Sequence, residues 1–119
     1  ENTVRAMAVP SENVRVWLGP CIGPKAFEVG QEVRAMFVAH EPSSAAHFHA
    51  LPKPAAGDHA VAEPKFLCDL VAIARQRLAA LGITNVVASG ACTFSEPERF
   101  FSHRRDRTTG RMAAFVWIE

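Results

Sequence analysis

Arginine side chains cluster near the end of this 119-residue chain, at Arg104, Arg105, Arg107 and Arg111. A planar guanidinium presents forked donors that match the oxygens of a phosphate or a carboxylate, so neighbouring arginines could hold an anion. A solvated turn in which Asp106 pairs with an adjacent arginine would use the same residues. The residues of this segment allow both interpretations.

A loop rich in glycine and proline, Gly19 to Pro24, forms a second candidate site. Glycine has no Cβ, so Gly19 and Gly23 could bring the backbone close to a substrate. A plain connection between a strand and a helix would have the same composition. Lys25 follows the loop without a Gly-Lys-Ser/Thr sequence, so this is not a P-loop.

Histidine and cysteine are the other reactive residue types, and four of the five histidines lie in one segment: His40, His47, His49 and His59. Two histidines that are two residues apart could bind a metal from one face of a strand, or could group by chance on the surface. The cysteines are Cys21, Cys68 and Cys92. Their odd number and wide spacing predict neither a disulfide framework nor a thiolate zinc site, and favour a reducing, cytoplasmic setting.

Cys92 allows a third kind of chemistry. If the fold brings Cys92 and His103 together, they could act as nucleophile and base of a cysteine hydrolase. A single cysteine at a strand end is also typical of a small buried hydrophobic residue. The sequence leaves both interpretations open.

Composition excludes several classes of partner. The formal net charge is +1, which argues against extended nucleic-acid binding, because such binding depends on many phosphate contacts. The apolar runs are far shorter than the ~18 residues of a membrane span, and no signal peptide is visible. The length fits one domain or part of one.

Elements that would position these residues follow from the hydrophobic periodicity. Three helices are predicted, over residues 4–8, 30–40 and 64–82. Strands are predicted over residues 14–18, 83–89 and 91–94. Residues 40–63 form the longest segment without a pattern and are predicted to be a loop or a functional lid.

The last twenty residues, Phe100 to Glu119, are predicted to form a β-hairpin, because a polar turn ending at Gly110 separates two extended runs. Met112 to Ile118 is apolar on both alternating faces, which predicts a buried strand. The order of helices and strands predicts a mixed α/β fold.

Several stretches together resemble the C-terminal half of the laccase-domain family, first called multicopper polyphenol oxidase. They are WLGPCIGPKAFEVGQEV (17–33), CDLVAIARQRLAALGI (68–83), ACTFSEPERFFSHRRD (91–106) and TGRMAAFVWIE (109–119). The resemblance implies an α/β (α+β) fold with a mixed, largely antiparallel sheet and flanking helices, similar to the catalytic domain of cytotoxic necrotizing factor toxins. It implies that residues 1–119 are the C-terminal part of one such domain.

The resemblance also implies an activity: a zinc-dependent purine nucleoside phosphorylase acting on inosine, adenosine and methylthioadenosine, with adenosine deaminase activity. The family's zinc ligands lie in upstream motifs, one of them His-Ala-Gly-Trp-Arg-Gly, which this sequence does not contain. We therefore expect no catalytic residue, zinc ligand or copper ligand in this chain. By itself it would be inactive, pairing with the missing N-terminal half or with itself.

Substrate-binding roles are expected for the residues that match the family's loop and hairpin motifs: Gly19, Gly23, Phe101, Arg104 and Arg105. Arg104 or Arg105 would contact phosphate and Phe101 would line the site, because phosphorolysis must seat a phosphate dianion against a nucleoside. The same residues could instead tie the hairpin to the missing half by buried salt bridges. Two alternatives stay open: a non-catalytic half-domain that binds nucleotides, and the cysteine hydrolase that uses Cys92 and His103.

Overall fold

The computed structural model describes residues 2–52 and 63–116. The α-helices in these ranges are α1 (Asn2–Met7), α2 (Gln31–His40), α3 (Leu70–Ala79) and α4 (His103–Asp106). The strands are β1 (Val16–Leu18), β2 (Glu28–Gly30), β3 (Phe48–Ala50), β4 (Lys65–Cys68) and β5 (Val86–Ala88). Two short 3-10 helices, Ser11–Asn13 and Pro42–His47, connect them.

The strands form two separate sheets. In the three-stranded sheet β4 lies in the centre and pairs antiparallel with both β2 and β3. In the two-stranded sheet β1 and β5 run parallel, with Trp17 opposite Val87. The mixed α/β class predicted from the sequence is confirmed.

The hydrophobic core lies between the antiparallel sheet and its helices. Its buried members are Val29, Phe48, Cys68 and Ile73. Partly buried side chains from α2, including Phe37, pack against this cluster. The ring centroids of Phe37 and Phe48 are 5.9 Å apart. Each core residue comes from a different element, so this cluster joins β2, β3, β4 and α3.

The predicted helix over 64–82 is wrong in its first third. Lys65–Cys68 is a strand, and helix α3 begins at Leu70. The strand is favoured because β4 receives ladder hydrogen bonds from neighbours on both sides. Asp69 then starts the helix, since its carboxylate accepts a 2.9 Å hydrogen bond from the Ala72 N–H.

The prediction of an irregular segment over 40–63 is also wrong in part. Pro42–His47 is a 3-10 helix, and Phe48–Ala50 is strand β3, whose Phe48 enters the core. Residues 53–62, with His59, lie outside the described residues. A strand of three residues with one buried side chain is too short to show a hydrophobic period.

The terminal hairpin is the largest correction. His103–Asp106 is a helical turn, and residues 107–116 form no strand in the part of the chain that the structure describes. Phe115 and Val116, predicted to be buried, are 82% and 97% exposed. An apolar run becomes a strand only beside another strand that accepts its ladder hydrogen bonds. In the structure, residues 107–116 pair with no strand of either sheet.

The other elements agree with the predictions over most of their length. Helix α2 (Gln31–His40) matches the predicted 30–40, and α1 covers most of the predicted first helix. Strands β1 and β5 are shorter than predicted but lie within 14–18 and 83–89. Of 91–94, only Cys92 pairs, in an isolated bridge to Cys21. No helix among the described residues is long and apolar enough to cross a membrane.

Candidate functional site

The two parallel strands β1 and β5 end beside one cavity. Gly19, Cys21 and Gly23 from the loop after β1 line it together with Ala88–Ala91 from the end of β5 and Asp69 before α3. The cavity measures about 220 Å³. In open α/β sheets ligands bind outside the carboxyl ends of the strands. Among the described residues, these strand ends are therefore our candidate site.

Trp17 extends this site into a second, adjoining cavity of about 290 Å³, which shares Gly19 and Cys21 with the first. The tryptophan is 60% exposed. Its ring covers Gly19 so closely that a Cβ there would lie 3.2 Å from a ring carbon. An exposed indole beside a cavity offers a flat apolar face on which a ligand can stack.

A larger cavity, about 510 Å³, lies between α1 and α3. The only charged group in its described lining is Arg77, whose guanidinium lies 3.2 Å from a ring nitrogen of His40. It brings together no set of reactive side chains, so its size alone does not suggest chemistry.

Gly23 holds the thiol of Cys92 at the edge of the candidate site. The Gly23 N–H donates a 3.1 Å hydrogen bond to Cys92 Sγ, and the Ser95 hydroxyl donates a second, at 3.4 Å. Burial acts to raise the pKa of Cys92, but hydrogen bonds from Ser95, Gly23 and Phe94 outweigh it, so the pKa lies below its ordinary value. A side chain at Gly23 would meet this sulfur at 3.2 Å.

His103 is not the group that activates this thiol in the structure. It begins helix α4, and no hydrogen bond joins His103 to Cys92 within residues 63–116. The donors on the sulfur are backbone and hydroxyl groups instead.

All N–H groups of the Arg105 guanidinium donate hydrogen bonds to oxygen atoms of the protein. Nε and Nη2 donate to the Asp106 carboxylate at 2.8 and 2.7 Å, Nη1 donates to the carbonyls of Thr93 and Phe94 at 2.8 and 3.0 Å, and Nη2 donates to the Phe100 carbonyl at 2.9 Å. Every N–H of the group is thereby engaged. In this arrangement Arg105 ties α4 to the segment after Cys92 and has no donor left for an anion.

Arg104 is engaged less completely. Its Nη1 donates a 2.8 Å hydrogen bond to the Glu28 carbonyl, and its guanidinium lies 5.4 Å from the centre of the Phe27 ring. The side chain is exposed, and this is its only hydrogen bond to the described part of the chain. The remaining N–H groups can therefore reach an anion from solvent.

Phe101 is half exposed and packs on the turn that follows α4. A Cβ at Gly110 would lie 2.7 Å from the Phe101 ring, so a larger residue there would require this half-exposed ring to move. Neither Phe101 nor the two arginines belong to the described lining of the two cavities at the strand ends. Of the residues expected from the sequence, the structure brings Gly19 and Gly23 together and places Phe101, Arg104 and Arg105 outside this lining.

Two residues of the site were missed by sequence reasoning. Trp17 and Asp69 line the cavities and lie within stretches that resemble the family, but neither was expected to be a site residue. An aromatic residue directly before a Gly-Pro loop was the signal available for Trp17. Asp69 reaches the site only through the β4–α3 boundary, which the sequence did not predict.

A metal centre does not fit the described residues. Within residues 2–52 and 63–116, no group of three or more His, Cys, Asp or Glu side chains is arranged to hold a metal ion. Neither a copper nor a zinc role can therefore be assigned to this part of the chain.

The comparison with protein families identifies the chain's family. A family model described as multi-copper polyphenol oxidoreductase laccase matches residues 1–119. The chain belongs to this laccase family.

Curated relatives match the chain over nearly its whole length. A Shigella flexneri protein named purine nucleoside phosphorylase is 47% identical over 99% of this chain and 44% of its own length. A Pseudomonas aeruginosa protein of the same name is 44% identical over 100% of this chain and 46% of its own length. The chain thus spans less than half the length of the curated relatives it matches.

Solved structures of relatives have the same fold. A Neisseria meningitidis protein, 39% identical, superposes with a TM-score of 0.75 over 88% of this chain and 39% of its own. A Bacillus licheniformis protein, 28% identical, gives a TM-score of 0.68 over 87% of this chain and 36% of its own.

Proposed function

We propose that this chain forms the substrate-binding part of a purine nucleoside phosphorylase. The observation that supports this most directly is the identity of 47% and 44% to curated relatives that carry this name. The cavity at the carboxyl ends of β1 and β5 supports the proposal, because its lining includes Gly19 and Gly23, two of the residues expected to bind substrate. Since the relatives are more than twice as long, the activity is proposed for the whole protein.

Phosphorolysis assigns three tasks that these residues can share. A phosphate oxygen bonds to C1′ of the ribose while the glycosidic C–N bond breaks and the purine leaves with the electron pair. Positive charge develops on the sugar, so a phosphate dianion must be held against it. Arg104 would contact the phosphate, Trp17 would stack on the purine, and Gly19 and Gly23 would let the backbone approach the nucleoside.

Arg104 is a better candidate than Arg105 for the anion contact. All N–H donors of Arg105 already bind protein oxygens, whereas Arg104 makes one such bond and is exposed. Phe101, which precedes α4 and lies outside the described lining of the two cavities, would in this proposal border the site from the side of α4. We assign Arg105 the role of holding that turn in place.

The metal and the second activity belong to the whole protein in this proposal. Zinc, with ligands upstream of this chain, would supply an electrophile, and adenosine deamination would use the same pocket. The described residues hold no metal cluster, so none of the roles assigned above depends on a metal. Copper chemistry, which the family description names, has no ligand set among these residues either.

The exposed apolar residues suggest what this part of the domain binds. Trp17, Val87, Phe115 and Val116 are all more than half exposed. We propose that the remaining half of the domain covers them, because the curated relatives have more than half of their length outside this match. The 119-residue chain by itself should therefore be inactive and self-associate, which gel filtration with light scattering measures; a stable monomer would contradict this.

The test is phosphate-dependent release of hypoxanthine from inosine by the whole protein. Arg104→Ala should raise KM for phosphate by about 10- to 100-fold, the value of a hydrogen bond to a charged group. Trp17→Ala should raise KM for the nucleoside by a similar factor, since base stacking contributes about 1–3 kcal/mol.

Arg99→Ala is the matched control, because Arg99 is also exposed and also lies over a phenylalanine ring, that of Phe100. It should leave both KM values near those of the unmodified protein. Binding of inosine without release of hypoxanthine would reject the phosphorylase and favour a non-catalytic nucleotide-binding domain. Release that does not depend on phosphate would favour hydrolysis.

A further inference from the structure

We propose that Cys21 and Cys92 form a dithiol site that a hydroperoxide oxidises to a disulfide. The two residues are partners in a parallel β-bridge that joins the loop after β1 to the segment after β5. The Thr93 N–H donates a 2.9 Å hydrogen bond to the Cys21 carbonyl and fixes this register. The pair lies far apart in sequence and is brought together only by the fold.

The backbone spacing suits a disulfide. Neighbouring strands lie about 4.8 Å apart, and Cα atoms joined by a disulfide are about 4.4–6.8 Å apart. Bridge partners also present their side chains to the same face. The thiols influence each other: burial is the main cause that raises the pKa of Cys21, and Cys92 and Asp69 raise it further.

The two sulfurs have different surroundings, which assigns their roles. Cys92 Sγ accepts hydrogen bonds from the Gly23 N–H and the Ser95 hydroxyl, which stabilise a thiolate. Cys92 is therefore the attacking sulfur and Cys21 the resolving one. Neither is fully buried, so a small oxidant can reach the pair.

The chemistry balances in two steps. The Cys92 thiolate attacks the outer oxygen of the hydroperoxide, the O–O bond breaks, and Cys92 becomes a sulfenic acid while an alcohol, or water from hydrogen peroxide, leaves. The Cys21 sulfur then attacks the Cys92 sulfur, the S–S bond forms, and the hydroxyl leaves as water with the Cys21 proton. Overall two thiols give two electrons and two protons to one hydroperoxide.

Cys68 serves as a control inside the same molecule. It is 0% exposed in the core, and burial raises its pKa to about 11. Cys68 should therefore stay reduced while the other two cysteines react. The proposal does not depend on the phosphorylase activity, although Cys21 lines both cavities of the candidate site, so oxidation would also change their wall.

The experiment is oxidation of the reduced 119-residue chain with an equimolar amount of hydrogen peroxide at neutral pH, followed by peptide mapping under non-reducing conditions. We expect each polypeptide to be lighter by two hydrogens, with the Cys21 and Cys92 peptides linked within one chain and Cys68 free. In Cys21→Ser, dimedone should trap the sulfenic acid on Cys92. A product without the Cys21–Cys92 link, or one linked between molecules, would overturn the proposal.

A second measurement tests the roles of the hydrogen-bond donors. Ser95→Ala should slow the reaction of Cys92 with iodoacetamide by about threefold, because loss of thiolate is partly offset by the greater nucleophilicity of a more basic thiol. Gly23→Ala should slow it as well, since the new methyl group would displace the sulfur. Urea-unfolded chain provides the reference, in which all three cysteines should react alike. If all three cysteines also reacted with iodoacetamide at equal rates in the native chain, the difference assigned to Cys92 and Cys21 would be refuted.

Discussion

The two sheets of this chain differ in how well they are covered. The antiparallel sheet β2–β4–β3 contributes Val29, Phe48 and Cys68 to a core that Ile73 of α3 completes. The parallel pair β1–β5 carries Trp17 opposite Val87, and both side chains are more than half exposed. The antiparallel sheet is covered by packed side chains, whereas the parallel pair has a face that is exposed.

In our proposal this difference marks where the rest of the domain would cover the chain. Parallel sheets occur almost only with both faces covered, and a pair of strands is marginal by itself. The candidate site lies at the carboxyl ends of the open pair. The same partner that covers Trp17 and Val87 would therefore complete the wall of the cavity, so in our proposal packing and substrate binding are coupled here.

The largest expected effect comes from removing a core ring. Phe48→Ala deletes a buried side chain that contacts Phe37 and should cost about 3–5 kcal/mol of the free energy of unfolding. Trp17→Ala removes a larger but exposed ring and should cost less than about 1 kcal/mol in the same chain. Urea unfolding followed by circular dichroism measures both.

The comparison between the sheets would break if Trp17→Ala cost as much as Phe48→Ala in the 119-residue chain. It would be sharpened if Trp17→Ala lowered the free energy of unfolding several times more in the whole protein than in the 119-residue chain. Such a difference would mean that the whole protein covers this tryptophan. Phe48→Leu, which keeps most of the apolar volume, is the control for Phe48 and should cost less than Phe48→Ala.

An intermediate effect is expected at the turn that joins the two regions. Arg105→Lys replaces a guanidinium whose N–H groups bind three carbonyls and a carboxylate by an ammonium that cannot reach them together. We expect a loss of about 1.5–3 kcal/mol in the free energy of unfolding.

Arg104→Lys is the matched comparison, since it alters the neighbouring arginine with its single hydrogen bond to Glu28. It should change stability by less than about 1 kcal/mol. A larger loss for Arg104→Lys than for Arg105→Lys would reverse the roles proposed for the two side chains.

Local patterns in the sequence predicted those elements whose signals are local. Helix α2 follows from its own apolar spacing, and the β1 and β5 strands follow from β-branched and aromatic residues. Strand β4 was assigned to a helix because its position is decided by two partners distant in sequence, β2 and β3. The terminal run was predicted to be a buried strand from apolar residues alone, although it pairs with none of the described strands.

The residues of the candidate site also divide into those that local sequence identifies and those that depend on distant partners. Glycines Gly19 and Gly23 could be singled out, because the absence of Cβ is a property of the residue itself. The different uses of Arg104 and Arg105 could not, since adjacent arginines are equivalent until carbonyls from residues 28, 93, 94 and 100 are placed around them. The pairing of Cys21 with Cys92 likewise needs the strand register.

The smallest expected effect is a pH dependence, with one carboxylate at the end of α2 and one in α4. Hydrogen bonds from Arg105 hold the pKa of Asp106 below its usual range, and hydrogen bonds from Ser43 do the same for the pKa of Glu41. A carboxyl group with a lowered pKa in the folded state stabilises the fold above its unfolded pKa, and this contribution is lost as the pH falls through the folded value. Both contributions should therefore be constant near neutral pH and disappear below about pH 4.

Asp106→Asn and Glu41→Gln separate the contributions of the two carboxylates in this test. Each should flatten the fall in stability between about pH 4 and pH 2, measured as the midpoint of urea unfolding across that range. Asp106→Asn should also loosen α4, because Arg105 loses its carboxylate, and so increase hydrogen exchange at the Arg107 amide, which donates to the His103 carbonyl. Glu41→Gln should leave that amide unchanged, since Glu41 lies at the end of α2. If both variants changed exchange at this amide equally, α2 and α4 would be coupled rather than independent.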